Sequence, residues 1–121
     1  MTPPAMNDSL QGLAKELDRF ARDRDWKQFH SPKNLASALI VEAGELLEHF
    51  QWMTEAQSRE LAPEQREAVG AEIADVLLYL IQLADALGID PVAAARAKLQ
   101  VNASKYPVAG ARGHSRKYDK L

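Results

Sequence analysis

The stretch from Pro63 to Leu87 limits this chain more than any other feature. Val69, Ile73, Val76, Leu80, Leu83 and Leu87 recur in steps of four and three, the period of an α-helix. Leu77 and Ile81 widen the apolar arc, and Leu78 lies on the far side. A helix apolar around most of its circumference is buried in a bundle. Gly88 supplies its C-terminal stop. The chain has 121 residues in all, the length of one domain. A second subunit is the simplest way to cover both faces of such a helix in so small a domain.

The rest of the chain is also punctuated as helices. No run of alternating, β-branched residues predicts a strand, and there is no internal repeat. A first helix is expected from Asp8 or Ser9 to about Arg24, burying Leu10, Leu13, Leu17 and Phe20. Residues 25–30 break its period and form a connection. Ser31 as cap and Pro32 at the first position open a second helix, expected to reach about Trp52. A polar stretch follows before Pro63. Asp90 and Pro91 repeat the cap-plus-proline start for a fourth helix, which Pro107 stops near Lys105. The expected fold is therefore all-α: a single four-helix bundle-type domain over 1–121, assembling as a homo-oligomer, dimer or tetramer. Residues 1–7 are expected to be a flexible N-terminus and 107–121 a basic C-terminal tail.

Composition removes several functional classes. Cysteine is absent, which excludes disulfide frameworks, thiolate zinc sites and thiol nucleophiles. No apolar run approaches the ~20 residues that span a bilayer. Met1 to Leu10 lacks the charged and apolar regions of a secretory signal, so a cytoplasmic protein without a membrane partner is expected. Net charge is −2, but from Lys105 onward five bases (Lys105, Arg112, Arg116, Lys117, Lys120) face one acid, Asp119. An acidic body with a basic tail suits a negative ligand held between them through a cation; a solvated C-terminus is the plainer reading. There is no Walker loop, Gly-rich dinucleotide fingerprint or basic recognition helix, so no nucleic-acid partner is expected.

Four acids are out of place. Leu35, Leu39, Glu42 and Leu46 share one stripe of the second helix, which puts Glu42 in a core slot, with Glu45 three residues on. On the third helix, Glu72, Asp75, Tyr79 and Gln82 form a polar stripe between apolar ones. The pattern is E-x-x-E on one helix and E-x-x-D on the next. Residues at i and i+3 share a face, and a short connection packs the helices antiparallel, so both pairs reach one point. Burying an unpaired carboxylate costs several kcal/mol, and clustered like charges cost more, unless protons or cations neutralise them. Hard oxygen ligands at this density fit Mg²⁺ or Mn²⁺. A di-iron bundle fails on ligand count: it needs Glu-x-x-His pairs, but Leu46 precedes His49 by three and the third helix has no histidine.

Other residues suit a ligand less specifically. Trp26, Phe29, His30 and Trp52 bracket the second helix, and aromatic faces near a metal–phosphate site suit a nucleobase. Trp26 and His30 lie in a polar stretch, which favours ligand contact over core. Lys98, Asn102 and Lys105 fall at i, i+4 and i+7 on one face of the fourth helix, suited to phosphate and polar edges or simply to solvent. Tyr79 stands between core and ligand.

Taken in order, these residues resemble the all-α nucleoside triphosphate pyrophosphohydrolases of the MazG type. Asp25-Trp26, Gln28-Phe29-His30, Pro32 and Asn34-Leu35 are similar to the dCTP pyrophosphatase branch. So are Glu42-Ala43-Gly44-Glu45-Leu46, Phe50-Gln51-Trp52, Asp75-Val76-Leu77-Leu78-Tyr79-Leu80, Lys105-Tyr106-Pro107, Ala111-Arg112-Gly113 and Lys117-Tyr118. The resemblance implies hydrolysis of a nucleoside triphosphate between the α- and β-phosphates, with dCTP or a 5-modified dCTP as substrate. It implies Mg²⁺ on Glu42, Glu45, Glu72 and Asp75, and a base pocket of Trp26, His30 and Trp52. Tyr79, Lys98, Asn102 and Tyr106 would lie near sugar or phosphates. Dimers or tetramers with sites between subunits are implied as well. Leu17 departs from the pattern, standing where some eukaryotic relatives carry a pocket histidine.

Physical chemistry then assigns roles. Glu45 is expected to hold the attacking water, and Lys98, Lys105 and Arg112 to offset charge on the leaving pyrophosphate. Two other readings compete: a broad house-cleaning pyrophosphatase for non-standard triphosphates, and a non-catalytic helical module whose acids bind metal.

Overall fold

The computed structural model describes residues 9–117, and among them there are helices, turns and loops but no strand. The expected loose end at 1–7, the alternative cap Asp8 and the last residues of the basic tail lie outside the described residues. The chain divides at Gly88 into two compact units.

In the first unit, α1 spans Leu10–Asp23, started by Ser9, whose Oγ accepts from the Gly12 N–H at 2.9 Å. Asp25 then takes a left-handed φ of 54°, a conformation that short polar side chains tolerate. It turns the chain into a single 3-10 turn, Lys27–Phe29. Helix α2 spans Pro32–Glu48, with Ser31 Oγ accepting from the Asn34 N–H at 3.1 Å. It stops short of Trp52. The Phe50 and Gln51 N–H groups both bond the Leu47 carbonyl at 2.9 Å, and Thr54 is extended (ψ 164°) to cap the next helix.

That next helix, α3 over Glu55–Arg59, occupies the polar stretch for which the sequence reading expected no element. It rests on a reciprocal cap: Thr54 Oγ1 accepts from the Gln57 N–H at 3.1 Å, and Gln57 Oε1 from the Thr54 N–H at 2.9 Å. Helix α4 spans Pro63–Ala86 and ends before Gly88, whose φ of +67° is glycine territory.

Helices α2 and α4 pack side by side and antiparallel. Glu42 and Glu45 on α2 meet Glu72 on α4, while Leu35 near the start of α2 lines one crevice with Ile81, further along α4. Helix α1 lies against α4 and closes the core, where Ala21, Leu35, Val69, Ile81 and Ala84 are buried. The rest of the expected apolar stripe of α4 divides. Ile73, Leu77, Leu80 and Leu87 face outward, as do Ile40, Val41 and Leu47 on α2 and much of Phe20 on α1. One chain thus leaves much of the apolar stripe of α4 bare, with exposed residues interleaved among buried ones. No single helix among the described residues is long and apolar enough to cross a membrane.

The second unit holds α5, Pro91–Lys105, and α6, Val108–Ala111. Asp90 Oδ1 caps α5 by accepting from the Val92 and Ala93 N–H groups at 3.0 and 3.1 Å. The Tyr106 N–H closes it on the Asn102 carbonyl at 2.8 Å. Pro107 then starts the short α6 inside the expected tail.

Candidate active site

The acids of α2 and α4 converge as their spacing requires. One carboxylate oxygen each from Glu42, Glu45 and Glu72 lies within 4.8 Å of the other two. Glu42 and Glu72 are half-buried and Glu45 is exposed. Glu42 Oε2 and Glu72 Oε2 are fully shielded and have no hydrogen-bond partner. Loss of solvent pushes the Glu42 carboxyl up to about 7, with Glu45 and Glu72 adding to the rise. Glu72 is raised first by the same desolvation, then by Glu45, with repulsion from Asp75 contributing. Two orphaned oxygens in a knot of repelling carboxylates form a site that a bound proton or a hard cation satisfies.

Asp75, the fourth acid, is exposed and one helical turn past Glu72. It lines a neighbouring cleft of about 170 Å³ together with Trp26, His30, Tyr79 and Gln82. Leu17, Phe20 and Ala21 of α1 and Leu78 of α4 form its apolar walls. Of the four acids expected together, the structure brings Glu42, Glu45 and Glu72 to one point, while Asp75 stands outside that group, close enough to repel Glu72 and lining the cleft instead.

The loop that carries Trp26 and His30 is fixed from several sides. The Trp26 N–H donates to the Ala21 carbonyl at 2.9 Å. Its ring meets Phe20 edge-on, centroids 5.7 Å apart. Lys27 Nζ and Arg22 Nε both donate to Asp18, each at 2.6 Å, and these partners hold the Asp18 carboxyl below the usual carboxylate range. Asn34 Nδ2 donates to the Phe29 carbonyl at 3.0 Å, tying the loop to α2.

Trp52 is not among the cleft residues. It follows the opposite end of α2 and is 89% exposed. Lys98, Asn102, Lys105, Tyr106 and Arg112 belong to the second unit. There α5 keeps Lys98, Asn102 and Lys105 on one face, Tyr106 is its C-cap, and Arg112 ends α6. Gln82 lies in the cleft although the sequence reading gave it no role. Its signal was present, since it continues the Glu72–Asp75–Tyr79 stripe.

Comparison with known proteins places this geometry. The profile of the MazG-like family matches residues 38–121. The chain belongs to the MazG-like family. It is 41% identical over 115 residues to dCTP pyrophosphatase 1 of Homo sapiens, an alignment spanning 93% of this chain and 68% of that protein. The protein of the same name from Rattus norvegicus aligns with the same identity and coverage. The crystal structure of a pyrophosphatase from Archaeoglobus fulgidus superposes with a TM-score of 0.77 at 39% identity, covering 81% of this chain and 92% of that one. Within the MazG-like family the chain is dCTP pyrophosphatase-like, and so an enzyme of the nucleotide pyrophosphohydrolase kind. The resemblance read from its motifs holds.

Proposed function

We propose that this enzyme hydrolyses dCTP, or dCTP modified at the 5-position, to the monophosphate and pyrophosphate. The observation that carries the proposal is a knot of three carboxylates with two orphaned oxygens beside an aromatic-lined cleft of about 170 Å³, with Asp75 on the wall of the cleft one helical turn from Glu72 of the knot. Phosphates belong at the first and a base at the second.

Glu42, Glu45, Glu72 and Asp75 would hold Mg²⁺, with Mn²⁺ as a substitute. When bound, the cation supplies charge neutralisation at the phosphate oxygens. Glu45, the exposed member of the cluster, orients a water towards the α-phosphorus and accepts its proton. The new bond joins that water oxygen to the α-phosphorus, and the bond from the α-phosphorus to the bridging oxygen breaks, so pyrophosphate leaves. Trp26 offers a face to the base and His30 and Tyr79 border it. Lys98, Lys105 and Arg112 are assigned to offset the leaving charge, with Asn102 and Tyr106 at sugar or phosphate.

The active assembly is a homo-oligomer, dimer or tetramer, in which a second copy covers the bare face of α4 and completes a four-helix bundle. Ile73, Leu77, Leu80 and Leu87 support this, since exposed apolar residues along one helix mark an interaction surface. Trp52 then serves the base pocket of a neighbouring copy.

The test is pyrophosphate release from a panel of ribo- and deoxynucleoside triphosphates, with and without Mg²⁺. Metal-dependent turnover, fastest for dCTP or its 5-substituted forms, is expected. Equal turnover of many modified triphosphates indicates a house-cleaning enzyme, and no turnover indicates a binding module. Glu45→Ala and Asp75→Ala should each lose activity and keep their helical circular dichroism. Full activity in either variant removes that residue from the site.

A further inference from the structure

Gln82 occupies the cleft at the end away from the acids. Asp75, Tyr79 and Gln82 fall at i, i+4 and i+7 on α4, one stripe of one helix. Seven residues of helix rise ~10 Å, the scale of a nucleoside. A nucleotide with phosphates at the Asp75 end therefore brings the far edge of its base to Gln82.

The Gln82 amide is not free to present either face. Its Nε2 donates to the Leu78 carbonyl one turn back, at 3.2 Å in a half-buried setting. Turning the amide over would set Oε1 against that carbonyl, two acceptors in contact. The bond to the backbone uses one of the two Nε2 hydrogens and fixes the orientation of the amide, so that Oε1 is held as an acceptor on the side away from the Leu78 carbonyl; among the described residues no hydrogen bond reaches it. Leu17, Phe20 and Ala21 from α1 and Leu78 from α4 supply the apolar part of the cleft lining, with His30 as a polar neighbour.

We propose that Gln82 is the residue that selects a 4-amino pyrimidine over a 4-oxo one. This rests on the reading above that the base enters this cleft. Cytosine carries an amino donor at position 4, whereas uracil and thymine carry an oxygen acceptor there. Oε1 accepts from the amino group and faces a 4-oxo group as one acceptor faces another. Discrimination arises because the wrong base sets two acceptors against each other where the right one makes a hydrogen bond.

The test compares dCTP with dUTP, which differ in the base at this edge. Gln82→Met keeps the length and volume of the side chain and removes the acceptor. Wild-type enzyme should favour dCTP. In Gln82→Met the dCTP/dUTP ratio of kcat/KM should fall by about 10-fold or more, mainly through KM for dCTP. Calorimetric titration with the monophosphates dCMP and dUMP reads the same preference without turnover.

An unchanged ratio in Gln82→Met, or a wild type that does not distinguish the two bases, overturns the proposal. Trp26→Ala separates this from failure of the base-pocket reading. If the base enters the cleft, Trp26→Ala weakens dCMP and dUMP alike. If Trp26→Ala and Gln82→Met both leave dCMP affinity unchanged, the base binds elsewhere and both readings fall.

Discussion

The position of Trp52 makes the proposed assembly directly testable. Trp26 and His30 precede α2, and Trp52 follows it. The helix has 17 residues, or ~25 Å at the rise of an α-helix. Trp52 lines no part of the cleft that holds Trp26 and His30 of its own chain, and the proposed assembly assigns it to the pocket of another copy. Base–aromatic stacking contributes ~1–3 kcal/mol, so Trp26→Ala and Trp52→Ala should each lower kcat/KM for dCTP by about 10- to 100-fold. Trp52 is 89% exposed, and truncating it should change stability by no more than ~0.5 kcal/mol. The two variants, co-expressed with different tags and purified through both, form hybrids. Each hybrid dimer has one pocket with both tryptophans and one with neither. Hybrids should recover about half of wild-type activity, and a random mixture about a quarter. Hybrids no more active than either parent would refute the trans assignment. A fully active Trp52→Ala would remove Trp52 from the pocket altogether.

Two further outcomes follow from the same coordinates. The Glu42 carboxyl is raised from 4.5 to about 7, and Glu72 is raised too. The folded chain thus binds more protons than the unfolded one between these values, so without metal its stability should fall as pH rises from about 4.5 through about 7. Mg²⁺ competes for the same oxygens, so the rise in Tm that it causes should be larger at pH 8 than at pH 5; thermal melts with an equal Mg²⁺ effect at both values would contradict this origin. Leu35 is 2% exposed where α1, α2 and α4 meet, and Leu35→Ala should destabilise the fold by ~2–5 kcal/mol in urea titrations. A loss under ~1 kcal/mol would mean that the core closes elsewhere.

The helix starts were legible because they are local. Ser31-Pro32, Pro63 and Asp90-Pro91 carry their caps and prolines in adjacent letters, and each begins a helix where expected. The acid cluster was legible for a different reason: Glu42 violates an apolar stripe, and the convergence of Glu42, Glu45 and Glu72 follows from period and antiparallel packing. The end of α2 was missed because it is set from outside the helix. Thr54 must be extended to cap α3, and the reciprocal Thr54–Gln57 pair was readable but overlooked. The inward and outward halves of the α4 stripe were not separable, since period alone does not say which of two apolar faces a single chain covers. The base cleft was hidden for the same reason. It is assembled from α1, a loop and α4, and no spacing within one element announces it.

Two glycines bear on what completes this chain. Gly44 lies mid-way along α2 and Gly70 along α4, and no atom comes within 4 Å of a Cβ placed on either. Glycine inside a helix costs about 1 kcal/mol relative to alanine, and nothing in one chain offsets it. Gly44 falls between Ile40 and Leu47 on its helix, and Gly70 falls three residues before Ile73, so both sit among the exposed apolar side chains. A missing Cβ on such a face is useful when another backbone must come close. The carboxylates raise the same issue in electrostatic form, because Glu42 Oε2 and Glu72 Oε2 are shielded without partners. Gly44 stands between Glu42 and Glu45 in the chain. The helix that carries Glu42 thus carries Gly44 beside exposed apolar side chains on another face, and a second copy seated there, as proposed above, would restrain the backbone that bears Glu42 and Glu45.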